Sequence, residues 1–196
     1  MTPHAADTAI WIDYLREVHP SVYLDVGAGD GYDCGVVKEA FPDCRCVAIE
    51  PYESWIAPSG VERYREVIGL ENNHCVYHIK SIPGIHGMYS RISVPTLHRD
   101  VREVRTLDSF CSRENIAEVD ALKIDVEGAA WDVIAGAPET FAKVKIVHIE
   151  TEWIELFKGQ RLESEVFMLL GDAGLEKVWE NRVEELGQGD SIWIRK

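Results

Sequence analysis

Two kinds of apolar pattern alternate along this chain of 196 residues. Short, continuously apolar runs predict buried strands, whereas apolar residues spaced three or four apart predict amphipathic helices. The predicted strands are residues 22–26, 46–50, 119–125, 144–150, 175–180 and 191–195, and the predicted helices are 7–18, 33–41, 106–111, 129–136 and 162–170. This alternation predicts an α/β fold, a three-layer αβα sandwich whose doubly wound, mostly parallel, seven-stranded sheet has an antiparallel C-terminal strand.

The segment after the second predicted strand has a weaker pattern. Residues 64–70 and 75–80 read as two strands joined by a turn, which predicts a hairpin. Residues 81–104 contain prolines and glycines with little periodicity, and we interpret them as a substrate flap over the site. An ordinary irregular connection is the alternative interpretation.

Length and charge narrow the class of protein. The length suits a single domain spanning residues 1–196, with a leading helix within 1–20. A net charge of −14 argues against a nucleic-acid partner, because such binders neutralise phosphates with basic side chains. No apolar run reaches membrane-spanning length, and five cysteines without a CxxC pair suit a reducing compartment, so we expect a cytoplasmic protein. The oligomeric state has no signal in the sequence.

The chain is organised around a glycine-rich loop that directly follows the first strand. Asp25 closes that strand, and Gly27, Gly29 and Gly31 follow at every second position. Small residues at such places let the backbone approach a ligand closely. A dinucleotide fingerprint would need a third glycine where Tyr32 stands, so the nicotinamide version fails. A tight turn without a ligand is the alternative interpretation.

An acidic residue after the second strand supports a nucleoside site. Glu50 follows the loop by about 20 residues, where a carboxylate accepts ribose hydroxyls in doubly wound folds. The spacing resembles motif I of the class I S-adenosylmethionine-dependent methyltransferases, whose cofactor carries an ammonium and a sulfonium rather than a phosphate. The candidate cofactor-binding residues are Asp25, Gly27, Ala28, Gly29, Gly31, Tyr32, Glu50 and Pro51.

The second half of the chain extends this resemblance to a particular family. TLD at 106–108, LKIDVEG at 122–128, and EP at 50–51 are similar to the FkbM methyltransferases. The resemblance implies a Rossmann-like class I fold, S-adenosyl-L-methionine as cofactor, and methylation of a hydroxyl on a sugar or small natural product. Two positions depart from the family pattern: Gly29 replaces the usual Asn, and Ala130 replaces the usual Glu.

Acidic residues at strand ends are the candidate catalytic groups. Asp125, Glu127 and Glu150 should meet at one edge of the sheet, and crowding raises carboxylate pKa values, so one could serve as the base. The same oxygens could hold Mg²⁺, or could only fix loops through backbone N–H groups. His86 in the flap is the fourth candidate. Lys123, inside a strand, predicts an ion pair with Glu150 or Asp25.

Two other functions stay open at this point. One is a nicotinamide-dependent oxidoreductase on a similar sheet, which Tyr32 disfavours. The other is a weak or inactive relative that binds the cofactor or a partner, which Ala130 suggests. The expected ligand in the favoured interpretation is a small molecule or a glycan.

Overall fold

The computed structural model describes residues 3–52, 56–82 and 84–196. The helices are α1 (Pro3–Val18), α2 (Tyr32–Ala40), α3 (Leu107–Arg113), α4 (Ala130–Ala135), α5 (Pro138–Phe141) and α6 (Glu163–Asp172). The strands are β1 (Val22–Val26), β2 (Arg45–Ile49), β3 (Val61–Tyr64), β4 (Val67–Ile68), β5 (Asn73–Lys80), β6 (Thr96–Arg105), β7 (Ala121–Ile124), β8 (Ile146–Glu152), β9 (Leu175–Val183) and β10 (Gln188–Arg195). Each strand predicted in the main sheet is present.

Seven strands form the main sheet in the order β3-β2-β1-β7-β8-β10-β9. The first five pair in parallel, while β10 lies between β8 and β9 and is antiparallel to both. The prediction of a mostly parallel sheet with one antiparallel C-terminal strand is therefore confirmed. The order reverses between β1 and β7, and in open α/β sheets ligands bind at such a switch point.

Both faces of the sheet are covered, which explains its continuously apolar strands. Leu24 and Val26 of β1 face one core, which includes residues of α3, α4, α5 and α6. Tyr23, the intervening residue, faces the other core together with residues of α1 and α2. Alternate side chains of a strand point to opposite faces, so each strand packs against both helical layers. The predicted three layers are thus confirmed.

A second sheet was not predicted from the sequence. Its three strands lie in the order β4-β6-β5, and β5 pairs antiparallel with β6 over most of its length. The predicted hairpin of 64–70 with 75–80 is wrong, because β3 joins the main sheet beside β2 and the two-residue β4 pairs with β6. Both β4 and β5 pair with the long strand β6, which comes later in the sequence.

Part of the segment predicted to form a flap, residues 81–104, is a regular strand. Residues 96–105 form β6, and half of its side chains are exposed. Charged residues occur on both faces of the strand, so the alternation of apolar and polar residues that predicts a strand is lost. Residues 84–92 cross to the main sheet instead. Gly87 exchanges backbone hydrogen bonds with His78, and Ile92 N donates to Leu156 O at 2.8 Å. These contacts hold the segment between the two sheets.

The predicted leading helix is confirmed, and it begins before residue 7, where the apolar pattern predicted its start. It is the longest helix of the described residues, with 16 residues from Pro3 to Val18. Thr8 lies inside it, and its hydroxyl donates to Asp33 Oδ1 of α2 at 2.7 Å. Within the described parts of the chain, no helix combines the length and apolarity needed to cross a membrane.

Gly27 and Gly29 make a matched test of the glycine loop. Gly27 has φ of 84°, and a Cβ there would lie 1.7 Å from the carbonyl oxygen of Asp125. Gly29 has φ of 54°, but a Cβ there would meet open space. We expect Gly27→Ala to lower the free energy of unfolding by more than about 3 kcal/mol and Gly29→Ala by about 1 kcal/mol. Urea denaturation measures both, and equal losses would contradict this account.

Candidate active site

A cavity of about 250 Å³ opens where β1, β2, β7 and β8 end. The main sheet contributes the loops after these strands, and the second sheet covers the opposite side with Val67, Ile68 and Tyr77. Gly84, His86, Gly87 and Met88 close it from the segment that crosses between the sheets. The cavity therefore lies at the switch point of the strand order, between two separately formed walls.

The glycine loop forms one side of this cavity. The predicted residues Gly27, Ala28, Gly29 and Tyr32 line it. Gly31 does not; it is the N-cap of α2, where its φ of 77° turns the chain into the helix. The open space above Gly29 leaves its backbone accessible from the cavity.

Glu50 is held at the cavity edge by two backbone amides. Its Oε2 accepts from Gly29 N at 3.1 Å and its Oε1 accepts from Tyr52 N at 2.8 Å. The side chain is largely buried, and that burial raises its pKa against the two hydrogen bonds that lower it. Pro51 lines the cavity beside it. The fixed carboxylate has free lone pairs with which to accept a hydroxyl from a ligand.

Asp25 lies beneath the cavity rather than in its wall. It is 1% exposed, and one carboxylate oxygen, Oδ2, accepts from Cys34 Sγ at 3.6 Å. The other oxygen, Oδ1, has no hydrogen-bond partner within the described residues. Burial raises its pKa to about 7, although Lys123 on the neighbouring strand opposes this shift. Asp25 therefore shapes the loop from below.

Lys123 is paired, but not with the residues expected from the sequence. Its Nζ lies 3.2 Å from both Asp33 Oδ2 and Asp125 Oδ2. The prediction of a pair with Glu150 or Asp25 is therefore wrong. The sequence placed the acids of neighbouring strands near Lys123, but α2 packs across the sheet and brings Asp33 over the lysine.

Three candidate catalytic carboxylates meet in the structure. One oxygen from each of Asp125, Glu127 and Glu150 lies within 4.8 Å of the others, and all three residues line the cavity. Glu127 has φ of 54° and is followed by Gly128 at 88°, a tight turn that directs the chain after β7 back toward the cavity. Non-glycine residues seldom adopt such backbone angles, and they concentrate at functional sites.

The three carboxylates differ in their partners. Asp125 contacts Lys123, and Glu127 contacts Arg91 Nη1 at 3.2 Å. Glu150 instead accepts from the neutral amide of Gln188 at 2.7 Å. Burial raises the pKa of both Glu127 and Glu150, and neighbouring carboxylates raise each further. Among the described residues, Glu150 thus has a raised pKa and no cationic contact.

His86 lines the cavity, and its neutral ring can donate a hydrogen bond. Its Nδ1 accepts the backbone N–H of Lys80 at 3.0 Å, so in the neutral ring the proton is on Nε2. Burial lowers the pKa of His86, and the positive charges of Lys80 and Arg102 lower it further, so the neutral ring is favoured. Its ring packs 4.4 Å from that of Tyr52. A ring in this form donates a hydrogen bond and cannot take a proton at Nε2.

Two residues at the site lacked a local signal in the sequence. Arg91 bridges Glu127 and Gln188 and stacks 5.0 Å over the Phe157 ring. Tyr77 lies in a wall built by the unpredicted sheet. Both positions depend on pairing between distant segments, which a motif search does not reveal.

Of the two positions that depart from the family pattern, Gly29 lines the cavity and Ala130 lies outside it. Ala130 is buried in the core at the first residue of α4, whereas the neighbouring Ala129 lines the cavity. Trp153 and Phe157, which follow β8, also lie outside the cavity. Phe157 packs beneath Gly128, and Trp153 stacks under Arg182 at 3.8 Å.

This fold is that of the class I S-adenosylmethionine-dependent methyltransferases. A magnesium protoporphyrin IX methyltransferase from Synechocystis PCC 6803, solved with bound SAH, matches 98% of this chain and 84% of its own with a TM-score of 0.57 at 10% identity. A methyltransferase FkbM from Methylobacillus flagellatus KT matches 90% of this chain and 44% of its own with a TM-score of 0.53 at 12% identity. At such low identity these likenesses show the fold.

Sequence comparison places the chain more narrowly. The model of the methyltransferase FkbM domain matches residues 25–177, so the chain belongs to the FkbM methyltransferase family. A 2-O-methyltransferase NoeI of Sinorhizobium fredii is 41% identical to it over an alignment that covers 74% of this chain and 69% of that protein. The resemblance found in the motifs is confirmed, and the protein is a methyltransferase by family.

Lys123 offers a test of the buried charge network. Replacement of Lys123 by Met leaves Asp33 and Asp125 without their shared cation, and we expect the free energy of unfolding to fall by about 3–5 kcal/mol. The control is Lys145→Met, because Lys145 is exposed and its partner Asp120 keeps the backbone N–H groups of Ser21 and Val22 as hydrogen-bond donors. Its loss should cost less than about 1 kcal/mol. Similar midpoints for the two variants in urea would show that Lys123 is not the critical charge.

Proposed function

We propose that this protein transfers a methyl group from S-adenosylmethionine to a hydroxyl oxygen of a sugar or a sugar-bearing natural product. The observation that carries the proposal is one cavity lined by two different groups of residues. Glu50 and the glycine loop form one group, and Asp125, Glu127 and Glu150 form the other. A nucleoside cofactor and a hydroxyl acceptor can then meet between them.

The charges of the cavity suit this cofactor better than a dinucleotide. Seven of the described residues that line the cavity are acidic and one is a lysine, which Asp33 and Asp125 already neutralise. A pyrophosphate would be repelled there, whereas an ammonium and a sulfonium are attracted. The bound cofactor supplies an activated methyl group and leaves as a neutral thioether. The nicotinamide alternative is disfavoured on the same charges and on Tyr32.

Separate residues serve the parts of the nucleoside. Glu50 would accept the ribose hydroxyls, since backbone amides hold its carboxylate in place. Ile49, Val67 and Ile68 are buried apolar residues on the cavity wall and would cover the base. The exposed backbone at Gly29 would contact the amino-acid part. Each role uses a group that lines the cavity.

Glu150 is the base that the geometry favours. A base must be free to take the acceptor proton, and Asp125 and Glu127 each contact a cation, Lys123 and Arg91 respectively. Glu150 has the neutral Gln188 as its contact, and burial together with neighbouring carboxylates raises its pKa. The same cations weaken the case for Mg²⁺, because two of the three carboxylates already have a positive partner.

Oxygen as the methyl acceptor is supported from two directions. The carboxylates can take a hydroxyl proton, and the relative at 41% identity has 2-O-methyltransferase in its name. The inactive alternative relied on Ala130. Because Ala130 is buried in the core and the carboxylate group is present without it, that position gives no reason to expect lost activity.

Cofactor binding is tested with S-adenosylhomocysteine by calorimetric titration. We expect Glu50→Gln to weaken binding about 10- to 100-fold, since a charged acceptor of ribose hydroxyls is lost. Glu39→Gln is the control, because Glu39 is exposed on α2. Thermal melting checks that both variants fold. Equal affinities for the wild type and Glu50→Gln would remove Glu50 from the cofactor site.

The base is tested by turnover. We expect Glu150→Gln to lower kcat by about 10²- to 10⁴-fold while S-adenosylhomocysteine affinity stays within about two-fold of the wild type. A carboxylate base acts unprotonated, so wild-type kcat should rise with pH, above the range where an ordinary glutamate ionises. Glu39→Gln should keep both rate and profile. Loss of activity in EDTA that Mg²⁺ restores would favour the metal site instead.

A further inference from the structure

A hydrogen bond joins the second sheet to the loop that contains Glu50. Arg102 of β6 donates from Nη1 to the carbonyl oxygen of Pro51, the residue that directly follows Glu50. Its Nη2 lies 3.2 Å from Asp100 Oδ2, and the guanidinium lies 4.6 Å over the Tyr77 ring. The side chain is 18% exposed. Three contacts on different sides therefore fix the orientation of this guanidinium.

The Pro51 carbonyl and the Tyr52 N–H belong to one peptide group. A trans peptide group is planar, so its C=O and N–H point in opposite directions. No peptide bond of the described residues is cis. Arg102 binds the carbonyl on one side, and the N–H on the other side donates to Glu50 Oε1 at 2.8 Å. One rigid plane thus connects the guanidinium to the carboxylate.

The orientation of this peptide group decides what Glu50 contacts. A peptide group can rotate as a unit about the ψ angle before it and the φ angle after it. Half a turn would direct the Pro51 carbonyl, rather than the Tyr52 N–H, at the carboxylate, and two acceptors would then face each other. The carbonyl would also lose Arg102 as its donor. The guanidinium therefore stabilises the orientation in which the N–H meets the carboxylate.

The segment that crosses between the sheets contacts the same loop at a second place. The Tyr52 ring packs 4.4 Å from the ring of His86, which in turn accepts from Lys80 N. This packing restrains the Tyr52 side chain, but it does not distinguish between the two orientations of the peptide group before it. Among the described residues, Arg102 is the side chain that makes this distinction.

We propose that Arg102 is a positioning residue for the cofactor. Through the peptide group between Pro51 and Tyr52, it keeps Glu50 in the orientation that accepts the ribose hydroxyls. Arg102 is not among the described residues that line the cavity, so it acts through Glu50 and not by contact with the ligand. The inference rests on the proposed function, in which Glu50 is the ribose acceptor. It gives the second sheet a role in cofactor binding.

The test is a double-mutant cycle on S-adenosylhomocysteine affinity, measured by calorimetric titration. Arg102→Met removes the guanidinium but keeps an apolar stem against Tyr77, and we expect it to weaken binding about 5- to 50-fold. In a Glu50→Ala background the same change should weaken binding by less than about two-fold, because the group that Arg102 orients is already absent. At saturating S-adenosylmethionine, kcat of Arg102→Met should stay within about two-fold of the wild type, so the loss lies in KM.

Arg99→Met is the matched control. Arg99 is exposed in the same strand, and its side chain points to the opposite face. Its affinity should stay within about two-fold of the wild type, and thermal melting checks that each variant folds. Asp100→Asn is a milder variant that weakens the hold on Arg102, and it should lower affinity about two- to five-fold. If Arg102→Met does not fold, the same cycle with Asp100→Asn decides the inference.

The outcomes separate this inference from the proposed function. If Glu50→Ala weakens binding but Arg102→Met does not, or if the two losses add, the inference is wrong while the proposed cofactor site stands. Equal losses for Arg99→Met and Arg102→Met would show a general charge effect and would also contradict the inference. If Glu50→Ala leaves the affinity unchanged, the proposed ribose site is wrong, and the role of Arg102 is wrong with it.

Discussion

The buried ammonium of Lys123 is the interaction on which the site depends. It joins Asp125, at the end of β7, to Asp33, in the first turn of α2. Asp33 in turn accepts from Thr8 of α1, so one cation links two helices to the centre of the sheet. A buried charge is tolerated only when it is paired. The same requirement holds Asp125 at the cavity, while Glu150 contacts no cation in the part of the chain that the structure describes.

Steric fit at the glycine loop is the second constraint. Gly27 lies against the carbonyl of Asp125, so the loop after β1 and the turn after β7 can approach only because Gly27 has no side chain. Their contact brings the proposed cofactor loop and the proposed catalytic carboxylates to one cavity. A methyl donor and its acceptor must be held close and in line. The chain achieves this closeness with backbone contacts rather than with long side chains.

The family and the fold could be inferred from short motifs, because these motifs describe local structure. The run ending at Asp25 and the glycines after it predict a strand and a turn from neighbouring residues alone, and LKIDVEG does the same around β7. Glu50 was found by its distance along the chain, since the helix between two parallel strands has a nearly constant length. The predicted layers and the antiparallel last strand followed from the same alternation.

The sequence by itself determined six of the seven strands of the main sheet, which loop could hold a nucleoside, and which acids lie at strand ends. Only the tertiary structure decided what those groups contact. Lys123 pairs with Asp33 because α2 packs over the sheet, and Tyr77 lines the cavity because β5 pairs with β6 instead of its neighbour in sequence. Patterns of hydrophobicity report how a segment is buried, whereas partner choice depends on packing between segments far apart in the chain.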